Sequence, residues 1–136
     1  MFTALRKAAP MSNPPCLFCK LPAADIVHHS EHLRAIRDRF PISPGHTLLL
    51  PRRHVVSLFD LSIVEWVELG LLLNEARAAL QAELQPDGFN IGINDGVAAG
   101  QTVMHLHVHL VPRYHGDSPD PRGGVRWILP EQARYW

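Results

Sequence analysis

Cysteine is scarce in this chain. There are only two, Cys16 and Cys19, three residues apart, so a disulfide framework is not the natural reading. Excess charge of either sign is also missing: Lys plus Arg total 13, and Asp plus Glu total 13. A general nucleic-acid binder would usually be basic, so any phosphate recognition should come from a local site. No apolar run is long enough to span a membrane. The most apolar stretch, Val67 to Leu73, is broken by Glu68 and Gly70. Met1 to Pro10 has two basic residues and no long apolar segment, so no secretory signal is expected and a cytoplasmic location is the default. P-loop, GxGxxG and GxSxG motifs are absent, as are internal repeats and low-complexity segments.

What is present is a histidine-rich stretch, Gln101 to Arg113. His105, His107 and His109 alternate with Leu106, Val108 and Leu110. Strict alternation reads as a half-buried strand. Residues two apart on a strand share a face and lie about 6.6 Å from each other. The three imidazoles should therefore line one face while the apolar residues enter the core. A helix would scatter the rings. Buried imidazoles need partners for their nitrogens, so three in a row suggest a use.

The rest of the chain supports one domain. Its 136 residues, 46% hydrophobic and 19% charged, can bury a real core. Residues 1–15 contain three prolines and read as a mobile arm; residues 16–136 read as a single domain with a C-terminal tail. Ile26 to His29 and Leu33 to Phe40 read as strands joined by a tight turn at Ser30-Glu31. Ser43-Pro44-Gly45 is a turn signal before a third strand, His46 to Leu50. Ser62-Ile63-Val64-Glu65 has the form of a capping box opening a helix that ends near Gln85. Trp66, Leu69, Leu73, Ala76, Leu80 and Leu84 form its core stripe. Ile63, Val67 and Leu71 add a second apolar flank, which points to burial against a partner subunit. Phe89 to Asn94 alternates and should pair antiparallel with the histidine strand. Gly92 would leave room over the histidine face. After Arg113 the chain is Gly- and Pro-rich, with order expected at Val125 to Leu129. The fold class is α+β: an antiparallel sheet of about five strands against one long helix.

Cys16-Leu17-Phe18-Cys19 has three readings: a redox pair, a zinc half-site needing two more ligands, or two unconnected thiols. The preceding Asn13-Pro14-Pro15 does not look like the strand that a redox pair would follow.

The pattern His105-Leu106-His107-Val108-His109-Leu110-Val111 resembles the histidine triad family of nucleotide hydrolases and transferases. Asn94-Asp95-Gly96, Gly100-Gln101-Thr102 and Ser43-Pro44-Gly45-His46 resemble the family as well. Pro112-Arg113 and Gly123-Gly124-Val125-Arg126 look most like its dinucleoside polyphosphate hydrolase branch. The resemblance implies that His107 attacks the α-phosphorus of a nucleotide and forms a nucleotidyl-histidine that water resolves. It implies that His109 and His46 donate to phosphate oxygens, and that Gln101 and Thr102 stabilise developing charge. Asn94 becomes a phosphate-side contact and Asp38 the acceptor of the ribose hydroxyls. Leu17, Phe18, Leu21 and Ile36 become the walls of a base site. Without the family, Asp38 and Asn94 read as turn residues and Phe18 and Ile36 as core.

Some members of the family bind zinc through a CxxC pair, a histidine after the third strand and the first triad histidine. Here these are Cys16, Cys19, His54 and His105. Four protein ligands would close the site and make the zinc structural. Other branches lack the cysteines. The implied substrate is a nucleotide conjugate. Dinucleoside polyphosphates come first and nucleoside phosphoramidates next, with nucleotidyl transfer as the alternative reaction. Mg²⁺ on the polyphosphate remains open. Family members typically form homodimers. Two further readings compete: a nucleotide-binding partner protein with incidental hydrolysis, and one metal held by all three triad histidines.

Overall fold

The computed structural model describes residues 15–136. The expected N-terminal arm therefore lies outside the described residues, apart from Pro15. Five strands form one sheet: β1 (Ile26–His29), β2 (Leu33–Arg37), β3 (Thr47–Pro51), β4 (Gly88–Gly92) and β5 (Val108–Arg113). Their order is β1-β2-β3-β5-β4, and every neighbouring pair is antiparallel. Helix α1 (Ile63–Leu84) packs on one face, and a short helix α2 (Pro130–Ala133) lies in the tail. The α+β expectation holds. Among the described residues, no helix is long and apolar enough to cross a membrane.

Helix α1 starts where its capping box places it. The Ser62 hydroxyl accepts from the Glu65 backbone N–H, and the Glu65 carboxylate accepts from the Ser62 N–H. It ends at Gln85, which adopts the left-handed conformation. The buried stripe is Glu65, Leu69, Leu72, Ala76 and Leu80. Trp66 is 44% exposed, so it does not belong to the stripe as expected, and Leu72 replaces Leu73 as the fully buried member. The carboxylate of Glu65 tolerates burial because Arg53 pairs with it at 2.7 Å while it caps the helix. Leu69, Ala76 and Leu80 keep their expected places, so the difference is confined to the two positions where Glu65 and Leu72 are buried instead of Trp66 and Leu73. Burying each leucine of the stripe contributes roughly 1.5–3 kcal/mol.

The sheet's other face carries a smaller apolar cluster, Ile36, Leu48 and Leu50, backed by Phe18, Leu21 and Ile26. Between β2 and β3 the chain turns at Gly45, whose φ is +86°. A Cβ there would sit 2.7 Å from Leu80 and 2.8 Å from Leu84, so only glycine fits. The helix thus presses directly on the residue before His46.

The histidine stretch departs from its expected form. Strand β5 begins only at Val108, so His105 and His107 precede it. Pro51, which would face this segment on β3, has no N–H to give. The Leu106 N–H instead donates to the Val55 carbonyl at 2.7 Å. Leu106, Val108 and Leu110 still enter the core. Gly92 pairs with His109, and nothing lies within 4 Å of where its Cβ would be.

Candidate active site and metal centre

The three triad histidines sit side by side but bond differently. The Phe18 ring lies 5.9 Å from that of His105 and 5.2 Å from that of His107, and His107 lies 5.1 Å from His109. Which nitrogen of each ring carries its proton follows from the partners.

His105 is fully buried, and its Nε2–H donates to the Pro51 carbonyl at 2.8 Å. That leaves the Nδ1 lone pair facing Cys16 Sγ at 3.5 Å and Cys19 Sγ at 3.6 Å. His54 Nδ1 lies 3.2 Å from Cys19 Sγ. Ligand atoms from all four residues lie within 4.8 Å of one another. Burial pushes the His105 pKa down, which keeps the ring neutral. Two thiols and two imidazole nitrogens, one with its tautomer fixed from behind by a carbonyl, make a donor set suited to a soft transition metal. The redox reading of the CxxC pair finds no support: residues 17–19 form a turn, with the Cys19 N–H bonded to the Cys16 carbonyl at 3.2 Å. Arg34 holds this turn from the sheet, donating to the Phe18 carbonyl at 2.9 Å. An arginine in an alternating strand gave no sequence signal of that role.

His107 donates its Nδ1–H to the carbonyl of His105 at 2.8 Å. Its Nε2 therefore keeps an unshared pair, and the ring lines a cavity of about 530 Å³. Leu17, Phe18, Leu21 and Ile36 form the apolar wall of this cavity. Asp38, Asn94, Thr102 and His109 supply its polar groups. The residues expected to hold base, ribose and phosphate are thus brought to one hollow. Phe40 and Val103 line it too and carried no motif.

His46 and Gln101 stand behind the cavity rather than in its wall. The Ile42 N–H donates to His46 Nδ1 at 3.3 Å, so the neutral ring carries its proton on Nε2. That proton goes to His109 Nδ1, 3.0 Å away. His109 in turn holds its own proton on Nε2. Burial pushes both pKa values down, although the Asp38 carboxylate, 3.5 Å from His46, pulls the other way. Gln101 is buried. Its amide donates to the Val56 and Val103 carbonyls at 3.0 and 3.2 Å, and its oxygen accepts from the Gly96 N–H at 2.8 Å. It shapes the loop that carries Asn94 and Thr102. Only the backbone accounting of that loop, invisible in a one-dimensional motif, distinguishes this from direct contact.

The HIT domain family matches residues 22–116. An uncharacterized HIT-like protein of Mycobacterium tuberculosis is 42% identical over 111 residues, covering 76% of this chain and 74% of that one. An AP-4-A phosphorylase of the same organism is 37% identical over 94 residues, 68% of this chain but only 48% of that protein. A crystal structure of a Zn-bound histidine triad family protein from Mycobacterium smegmatis aligns with a TM-score of 0.68 and 34% identity, over 88% of this chain and 94% of that one. Sequence, fold and the order of the histidines agree, and this chain belongs to the histidine triad family.

Proposed function

We propose that the chain hydrolyses nucleotide conjugates at the α-phosphate through a nucleotidyl intermediate on His107, with dinucleoside polyphosphates as the favoured substrates. The observation that carries this is the His107 ring itself. Its Nδ1–H is held by the His105 carbonyl, so the nitrogen exposed to the cavity is the nucleophilic one. Nε2 attacks phosphorus, an N–P bond forms, and the bond to the bridging oxygen breaks. The remaining phosphates leave on that oxygen. Water then attacks the same phosphorus, the N–P bond breaks, and the water's proton passes to solvent. His109, holding its proton on Nε2, donates to a phosphate oxygen as charge develops. His46 acts through His109 as a positioning residue. Asp38 accepts from the ribose hydroxyls, Asn94 and Thr102 contact phosphate, and the base lies between Phe18, Leu17, Leu21 and Ile36. These walls are apolar, so base selectivity is modest.

Cys16, Cys19, His54 and His105 would hold a structural Zn²⁺, which would tie the N-terminal turn to the triad and supply no open coordination position. The exposed apolar flank of α1 supports a homodimer: Ile63, Val67 and Leu71 are 82%, 59% and 66% exposed.

The test is turnover of diadenosine tetraphosphate by wild type and His107→Ala, with intact-mass detection of the trapped adduct. Turnover and adduct in wild type, both lost in the variant, are expected. Inactivity of both proteins with retained adenosine monophosphate binding would move the reading to phosphoramidates or to a binding protein. The AP-4-A phosphorylase relative favours one second reading, transfer of the nucleotidyl group to phosphate. Product analysis with added phosphate separates the two: nucleoside diphosphate in place of monophosphate marks transfer. Repeating the assay with and without Mg²⁺ decides whether the cation assists the polyphosphate.

A further inference from the structure

The triad and its cavity leave the C-terminal tail unused. The tail borders a second, open hollow of about 660 Å³ on the same face of the sheet. Along β5, side chains alternate, so Val111 and Arg113 follow His109 on that face. Val111 pairs with Asn90 and His109 with Gly92 on β4. The floor of the second cavity is Val111 and Asn90, one wall is Ile42 and Ser43, and the opposite wall is Trp127 and Arg134 of the tail. Two left-handed glycines bring that wall close. Gly123 and Gly124 have φ of +90° and +46°, and a Cβ on them would lie 3.2 Å from Trp136 and from the Asn90 amide nitrogen.

The chemistry of the walls is selective. Trp127 donates its indole N–H to the Arg122 carbonyl at 2.7 Å, which fixes the ring edge. The Arg134 guanidinium lies 5.7 Å from the Trp127 ring. The two acids at this site are already neutralised in pairs. Asp117 accepts from two nitrogens of Arg113 at 2.7 and 2.8 Å, while the third donates to Asn90, and Asp120 accepts from Arg122 at 3.0 Å. Among the described residues, Arg134 has no carboxylate within 4.0 Å; it acts on the Asp120 carboxylate only from farther off, so it is the cation at this site without a close ion pair. The Ser43 hydroxyl oxygen is buried with no hydrogen-bond partner among the described residues. A shielded hydroxyl without a partner costs stability, and turning it about χ1 into the cavity would let a ligand atom relieve it. A fixed aromatic ring, a guanidinium without a close ion pair and polar groups among the lining residues fit a flat heterocycle carrying a phosphate. The volume is in the range of small-molecule sites.

We propose that the tail cavity is a second site for a nucleoside phosphate, about one strand residue pair beyond His109. This rests on the nucleotide reading of the first cavity. Two sources supply that chemistry: the distal half of a dinucleotide whose other half occupies the histidine cavity, or a free nucleotide. The Ile42–Ser43 wall is also the segment whose N–H holds His46, so a ligand there touches the support of His109.

The experiment is equilibrium dialysis of the full chain with adenosine monophosphate. Two molecules per chain are expected in wild type. Arg134→Gln and Ser43→Val, on separate segments, should each weaken one of the two sites about tenfold and retain the other. Phe18→Ala should weaken the other site instead. Both tail-site substitutions are mild, since Arg134 is exposed and Ser43 makes no side-chain hydrogen bond, and circular dichroism checks that each variant is folded. One molecule per chain, insensitive to Arg134→Gln and Ser43→Val but lost in Phe18→Ala, overturns the second site and leaves the first. No binding to any form overturns both. The source is then read with diadenosine tetraphosphate on His107→Ala. One dinucleotide per chain that displaces monophosphate from both sites assigns the distal half. Two per chain assign a free nucleotide.

Discussion

His105 and His107 are two residues apart, carry the same side chain and share one peptide segment, yet their rings are bonded in opposite senses. The His105 ring is sealed from solvent, with Nε2 given to Pro51 and Nδ1 turned to the thiols. The His107 ring gives Nδ1 to a backbone carbonyl and keeps Nε2 for the cavity. The residue type therefore does not decide which ring nitrogen is left free here. The backbone carbonyl that claims the N–H decides it, by choosing which lone pair remains.

The comparison breaks most sharply in turnover. His107→Ala should lower kcat by on the order of 10⁴-fold while the melting temperature moves by only a few degrees, measured by steady-state assay and calorimetry. His46→Leu should lower kcat by roughly 10²-fold, because His109 loses the donor that fixes its tautomer. A structural effect alone would not move the acid limb of the pH–rate profile, and this variant should. On the thiol side the readout is stability. A strong chelator, or Cys16→Ser, should lower the melting temperature of metal-loaded protein by roughly 10 °C, with zinc release followed by a colorimetric indicator. If the chelator leaves the melting temperature unmoved, the four donors are not a folding element.

Acid should act on the cavity side through linkage. His46 and His109 have folded pKa values below the 6.5 of a free imidazole, because burial disfavours the charged ring. Between those lowered values and 6.5 the unfolded chain binds more protons than the folded one. Stability is then full above pH 6.5 and falls as pH drops through that window. Urea midpoints at pH 7.5 and 5.5 should show the loss, and His46→Gln should reduce it. The smallest effect lies away from both sides: Ser62→Ala should cost about 1 kcal/mol in urea unfolding through the lost helix cap.

Much of this was legible in the sequence because local signals and tertiary needs coincided. The capping box at Ser62 and Glu65, the turn at Gly45, and the apolar alternation at Leu106, Val108 and Leu110 each had one good structural answer. The hollow around Phe18, Ile36, Asp38 and Asn94 was legible only through the family resemblance, since each residue alone reads as core or turn. What escaped was set by distant backbone groups. The strand was expected to reach back to Gln101, but its pairing stops where Pro51 cannot donate and Val55 takes the Leu106 N–H. Trp66 looked like core because the ion pair that buries Glu65 is formed with Arg53, twelve residues away. His46 and Gln101 were expected to touch phosphate, and the structure commits their hydrogen bonds to His109 and to a loop.

The carbonyl that orients the His107 ring belongs to His105, whose own side chain faces the thiols. A single residue is thus constrained twice, once through its backbone and once through its ring. A descendant that lost Cys16 and Cys19 would be free to change the ring at position 105, but only to a residue that leaves the same carbonyl in place. The replacements that fit the sealed position are buried side chains of similar bulk, whereas proline and glycine would alter the backbone that presents the carbonyl.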